Sequence, residues 1–117
     1  MDVRNLFIRL GKTVFFWGFL QIALIGAAYF GAAPSSWHAW SGMLMLLMLV
    51  VMLILALVGK LGGRIIGLTL LALVMLGMQG YIRADSIPAI AKALHPIFGI
   101  GVMFLGQSLA KRAAAAS

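Results

Sequence analysis

The sequence contains no cysteine, only two acidic residues and only two histidines among its 117 residues. Without cysteine, disulfide bonds, thiolate metal sites and covalent haem attachment through a Cys-x-x-Cys-His motif are excluded. The acidic residues, Asp2 and Asp85, lie outside every long apolar run. A proton-coupled pump or small multidrug exporter normally needs a carboxylate within the membrane, so these classes are disfavoured. The sequence also lacks a nucleophile–base set, a phosphate loop and a carboxylate cluster, which favours a carrier or accessory subunit over an enzyme.

Apolar side chains are what the sequence has in abundance. They make up 64% of the residues, the mean hydropathy is +1.14, and 9% of the residues are charged. A soluble domain of this length could not bury that much apolar surface. The composition predicts an all-α membrane protein, with one domain formed by a bundle of four transmembrane helices. The predicted spans cover about residues 13–33, 37–59, 65–82 and 89–110, and helical spacing of apolar residues between 87 and 94 indicates a short interfacial helix.

The basic residues are divided unequally between the two ends of the predicted bundle. The end with both termini carries Arg4, Arg9, Lys12, Lys60, Arg64, Lys111 and Arg112, and the opposite end carries Arg83 and Lys92. By the positive-inside rule, both termini of this multi-pass protein are expected in the cytoplasm. The net charge of +7 lies at helix ends, so it predicts contact with an anionic bilayer surface and not with nucleic acid.

The two histidines occupy matching places in the sequence. His38 lies in Trp-His-Ala-Trp-Ser-Gly and His95 in Leu-His-Pro-Ile-Phe-Gly, and each begins a long apolar segment. Each is followed four residues later by a glycine, Gly42 and Gly99. Residues i and i+4 share a helix face, so each motif places an imidazole one turn from bare backbone. Such an arrangement is suited to a flat, metal-centred ring.

A glutamine precedes each histidine at a similar distance. Gln21 stands 17 residues before His38, and Gln79 stands 16 residues before His95. Each half of the chain therefore reads as glutamine, outer loop and His-x-x-x-Gly. This pattern predicts two parallel-repeat hairpins, related by an axis along the membrane normal, that bring both histidines to comparable depth. An alternative interpretation is that each glutamine only forms hydrogen bonds between helices of the bundle.

These paired Gln…His-x-x-x-Gly hairpins resemble a group of small bacterial four-helix membrane proteins of uncharacterised function. The resemblance covers nearly the whole chain and implies the bacterial inner membrane as the location. The pattern also loosely resembles membrane b-type cytochromes, in which histidines on two helices hold one haem. Those proteins are usually larger and richer in histidine, and two histidines exclude a second bis-histidine haem here.

One haem b ligated by both histidines is a consistent reading of this pattern, because two neutral imidazoles give six-coordinate iron suited to electron transfer. Glycines would let the helices separate around the ring. Trp40 and Phe98 are predicted to line it, and Arg83 is predicted to lie near the propionates. Ser41, Gln79 or a backbone carbonyl are candidate acceptors for the second N–H of each imidazole.

Two functions are therefore open at this point. The first is a small haem-b electron carrier near the outer face, linked to quinol or joined to a larger membrane complex. The second is a structural subunit of such a complex, either without a cofactor or in contact with (bacterio)chlorophyll, whose magnesium also accepts one histidine. A histidine at a helix end is also at home among lipid headgroups, because imidazole is amphipathic.

Overall fold

The computed structural model describes residues 2–82 and 85–116, and this part of the chain is helical with short connections. The helices are α1 (Val3–Tyr29), α2 (Ser35–Val58), α3 (Gly63–Gly77), α4 (Gln79–Ile82) and α5 (Leu94–Ala115), and a 3-10 helix covers Ala91–Ala93. Four of these segments are long and apolar enough to cross a membrane: Val3–Tyr29, Ser35–Val58, Gly63–Ile82 and Ala91–Ala115. The prediction of an all-α protein with four membrane-capable helices is confirmed.

The first helix begins and ends at residues that satisfy free backbone groups. The Asp2 side chain accepts a hydrogen bond from the Arg4 N–H at 3.1 Å, which caps the start of α1. After Tyr29, Gly31 adopts a φ of 76°, and the Ala32 N–H donates to the Ala27 carbonyl at 2.7 Å. This left-handed residue ends the helix as glycine commonly does. The helix thus starts ten residues before the predicted span, because the basic first turns are also helical.

The turn between the second and third spans also contains residues with positive φ. The Leu61 N–H donates to the Ala56 carbonyl at 3.0 Å, and Lys60 and Gly62 adopt φ values of 49° and 104°. These two left-handed residues reverse the chain between α2 and α3 within four residues. The predicted boundaries at 59 and 65 differ from the observed ones by only one or two residues.

The third span is interrupted near its end. Its main helix, α3, stops at Gly77, and the single turn α4 follows after Met78. Turns within residues 85–90 precede the 3-10 helix at Ala91–Ala93, where an interfacial helix was expected, and α5 begins directly after it. Pro96 lies in the first turn of α5, where its missing N–H leaves no helical hydrogen bond unmade.

Each long helix packs against two of the others. Helix α1 contacts α2 and α5, and α3 contacts the same two helices, so α2 and α5 lie across a diagonal of the bundle. The closest approach joins α1 to α5, where a β-carbon at Gly11 would lie 2.7 Å from the backbone oxygen of Gly106. At this crossing, glycine permits direct contact between two helix backbones.

The buried residues form a narrow line along the bundle axis. Phe7, Val14, Leu49, Met52 and Leu109 are fully buried, whereas many equally apolar side chains face outward. Thr69 is buried as well, and its hydroxyl donates to the Ile65 carbonyl of its own helix at 2.8 Å. The bundle measures 44 Å along its longest axis, which exceeds the roughly 30 Å hydrocarbon core of a bilayer.

Candidate functional site

The two histidines meet inside one end of the bundle. His38 lies in the first turn of α2, and His95 lies in the first turn of α5. Both are half-buried, and their rings face each other across the diagonal of the bundle. The ring centroids are 6.2 Å apart, and the ring planes are inclined by 53°. Residues 57 positions apart in the sequence thus form one pair of imidazoles.

A hydrogen bond fixes the proton on the His38 ring. Its Nδ1 lies 3.0 Å from the backbone oxygen of Gln21 on α1. A backbone carbonyl can only accept, so Nδ1 carries the hydrogen in the neutral ring, and the lone pair lies on Nε2. Histidines that bind metals commonly have this arrangement, because the carbonyl orients the ring and strengthens its basicity. Among the acceptors expected from sequence, a backbone carbonyl has this role.

The side chain of Gln21 binds the backbone on which His38 is mounted. With the amide oriented to match its neighbours, its nitrogen donates to Ser41 Oγ at 3.2 Å and to the His38 carbonyl at 3.1 Å. Its oxygen accepts from the Gly42 N–H at 2.9 Å. A β-carbon at Gly42 would lie 3.0 Å from this amide, so the bare glycine is what permits the contact. Gln21 therefore contacts His38 through both its backbone and its side chain.

Gln79 makes a related contact with the second histidine. Its Nε2 donates to the His95 carbonyl at 3.0 Å, and its buried Oε1 has no hydrogen-bond partner among the described residues. A β-carbon at Gly99 would lie 3.7 Å from Nε2, an ordinary van der Waals distance. In both halves, a glutamine amide thus lies beside the glycine and binds the carbonyl of the histidine. The contact is looser in the second half.

One residue of the site has no place in the sequence-based prediction. Trp17, on α1, donates its indole N–H to the Ser41 carbonyl at 2.9 Å. Trp17 and Gln21 are four residues apart and share a helix face, so both bind the first turns of α2. A buried tryptophan usually finds a partner for its N–H, and the spacing from Gln21 is the sequence signal that indicates this one.

The remaining residues predicted to line the ring differ in how far they are buried. Phe98 is half-buried one turn from His95, whereas Trp40 is 72% exposed. Arg83 lies outside the described residues. The prediction that Gly42 and Gly99 make room for a flat ring stays a prediction, and the structure places a glutamine amide beside each.

The distance between the two imidazole ring centres is close to the distance expected for two ligands on opposite sides of one metal ion. A metal lies about 2.0–2.1 Å from an imidazole nitrogen, so two imidazoles on opposite sides of it have ring centres about 6.3 Å apart. The observed separation is 6.2 Å. The described residues include no group of three or more His, Cys, Asp or Glu able to hold a metal. Two protein ligands suit a metal whose other positions are filled by its own macrocycle.

The two glycines of the site are expected to respond differently to alanine. Gly42→Ala should lower the free energy of unfolding by about 1 kcal/mol, because the methyl group displaces a hydrogen-bonded amide worth about 1–3 kcal/mol. Gly99→Ala should raise it by about 0.5–1 kcal/mol, the usual helical gain, since ordinary space is available. Denaturant unfolding of both variants in one detergent measures the difference. Equal stabilisation by both would contradict the contact between Gln21 and Gly42.

Comparison with known protein families gives a match over the middle of the chain. The model of a protein family described as a family of unknown function, DUF6220, matches residues 21–85, more than half of the chain. The matched region begins at Gln21, contains His38 and Gln79, and ends before His95. No curated protein and no solved structure matches the chain.

Proposed function

We propose that this chain, which belongs to the DUF6220 family, holds one haem b between His38 and His95 and uses it to transfer electrons near one face of the membrane. The observation that carries the proposal is the 6.2 Å separation of the two imidazole rings across the bundle. Two imidazoles bound to one metal ion would need a separation close to this one.

The bond between His38 and the Gln21 carbonyl supports the same assignment. It leaves Nε2 of His38 with its lone pair, which is the state that an axial ligand needs. A haem held by the two imidazoles would supply one-electron oxidation and reduction. The protein would contribute the two ligands and their orientation through Gln21 and Gln79.

The position of the pair sets limits on the role. Both histidines lie in the first turns of helices that start at the end opposite the two termini. One haem there does not bridge a hydrocarbon core of about 30 Å, so electrons are exchanged at that end, with quinol or with a partner subunit. The charge distribution supports placing this end outside and both termini in the cytoplasm of a bacterial inner membrane.

A structural subunit is the second candidate, and the outward-facing aromatic side chains favour it. Phe16, Phe19 and Phe104 are each more than half exposed, and Phe15 contacts all three at ring-centre distances of 5.3–5.7 Å. Such a surface fits lipid or a neighbouring membrane subunit. In this version the protein binds no cofactor, or its histidines contact a pigment.

An absorbance spectrum separates these candidates. The protein is purified in mild detergent from haem-sufficient cells and recorded oxidised and then reduced with dithionite. We expect a Soret band and a sharp α band on reduction, with one haem per chain. A colourless protein after reconstitution with excess haem would refute the proposal and leave the structural subunit. Bands further to the red would assign the histidines to a pigment.

A further inference from the structure

A groove lies on the outer face of α5 at the end of the bundle that carries both termini. It has a volume of about 410 Å³ and is lined by Phe104, Gln107, Ser108, Lys111 and Arg112. A second groove of about 470 Å³ shares Arg112 with it as a lining residue and includes Arg64. Sites for small molecules commonly have volumes of about 300–1,000 Å³, so each groove is large enough for a polar headgroup.

The lining of the first groove changes in polarity along the helix. The cations Lys111 and Arg112 stand nearest the end of α5, the neutral polar Gln107 and Ser108 come one turn deeper, and Phe104 lies one turn deeper still. Phe104 and Lys111 are two turns apart, or about 10 Å. That distance covers a polar headgroup region, about 5–8 Å thick on each side of a bilayer, and the first part of the acyl chains.

Among the residues that the structure describes, no carboxylate forms an ion pair with the cations of these grooves. The chain contains only Asp2 and Asp85, and Asp2 accepts from the Arg4 N–H at the start of α1. Among the described residues, the one hydrogen bond made by the Arg112 side chain runs from Nε to Ser108 Oγ at 3.3 Å. Arg4 differs, because its Nη1 donates to the Ala113 carbonyl at 3.0 Å and thus joins two helix ends. Arg112, Lys111 and Arg64 are therefore available to an anion from outside the chain.

We propose that these two grooves, which share Arg112, together bind one anionic phospholipid. Its phosphate contacts Arg112 and Lys111, with Arg64 reaching it from the second groove. Its glycerol and ester oxygens lie at Gln107 and Ser108. The part of an acyl chain nearest the glycerol packs on Phe104. A phospholipid presents anionic, polar and apolar groups in this order along its length, which matches the order of side chains on α5. The site is independent of the histidine pair, which lies at the other end of the bundle.

Lipid binding can be measured on the full chain by native mass spectrometry from detergent. The protein is titrated with phosphatidylglycerol, with phosphatidylcholine of the same acyl chains, and with inorganic phosphate as a competitor. We expect one phosphatidylglycerol to bind at least tenfold more tightly than phosphatidylcholine. Arg112→Gln and Lys111→Gln should each weaken phosphatidylglycerol binding about fivefold, since a basic side chain near an anionic lipid surface contributes about 1 kcal/mol.

Lys12→Gln and Lys60→Gln are matched controls, because each removes one positive charge at the same end from a residue outside both grooves. They should leave phosphatidylglycerol affinity within twofold of the wild type. Equal losses in the controls and the groove variants would overturn the proposal in favour of diffuse attraction, and so would equal affinity for both lipids. Displacement of the lipid by millimolar phosphate would show a site for the free anion instead. Lys111 is exposed, so Lys111→Gln keeps the test decisive if Arg112→Gln does not fold.

Discussion

Removing either histidine is expected to destroy the six-coordinate haem spectrum. His38→Gly and His95→Gly should each convert reduced haem to a high-spin form with a broad α region, or abolish binding, because one axial ligand is lost. The loss of affinity should exceed the roughly 10–100-fold that follows removal of a partner that only orients a ligand. Spectra of the reduced proteins and the haem content per chain measure both effects.

Added imidazole separates ligation from folding in this experiment. Glycine leaves space where the ring was, so millimolar imidazole should restore the sharp α band in either variant. Trp37→Phe is a matched control in the first turn of the same helix as His38, and its exposed ring should be replaceable without spectral change. If both glycine variants keep the wild-type spectrum without imidazole, the histidines are not the ligands and the proposal fails.

Gly11→Ala is expected to destabilise the packing of α1 against α5. The new methyl group would lie 2.7 Å from the backbone oxygen of Gly106 and 3.1 Å from the β-carbon of Ala110. A backbone oxygen cannot turn aside as a flexible side chain can, so α1 and α5 must separate. Overpacking of this kind costs about 1–3 kcal/mol. Unfolding by dodecyl sulfate in mixed micelles, followed by circular dichroism, gives the free energy.

Gly26→Ala is the control for that substitution. Gly26 lies in the same helix, and nothing stands within 4 Å of its missing β-carbon. Replacement there should be neutral or should stabilise the helix by up to about 1 kcal/mol, because alanine loses less backbone freedom than glycine. Similar losses for both variants would show that helix propensity, and not the approach of α1 to α5, governs the result.

Gly11 and Gly26 both lie on α1, the helix that also contacts the histidine site. Helix α1 approaches the backbone of α5 at Gly11. Further along the same helix, Trp17 binds the carbonyl of Ser41 and Gln21 binds His38. Because α2 and α5 lie across a diagonal, the distance between their histidines is set by helices packed against both of them. A shift of α1 relative to either neighbour would therefore change the geometry of the imidazole pair.

The sequence by itself determined the class, the number of spans and most of the turns. Long apolar runs have no soluble alternative at this length, and the predicted breaks at 34–36 and 60–64 lie at or next to the observed chain reversals. The sequence also placed His38 and His95 at the same end of the bundle. With four antiparallel spans, two histidines at the starts of the second and fourth helices must share one side.

Only the tertiary structure decided which faces of the helices are buried and which partners the site residues have. Leu49 is fully buried, whereas Leu47 is 59% exposed, and no property of leucine distinguishes them. In water, apolar periodicity reveals the inner face of a helix, but a lipid-facing side is as apolar as the core, so this signal is missing here. The 6.2 Å pair, the Gln21 amide on Gly42 and the contact of Gly11 with Gly106 all depend on helix rotation. That rotation is set by packing between helices, which local sequence does not encode.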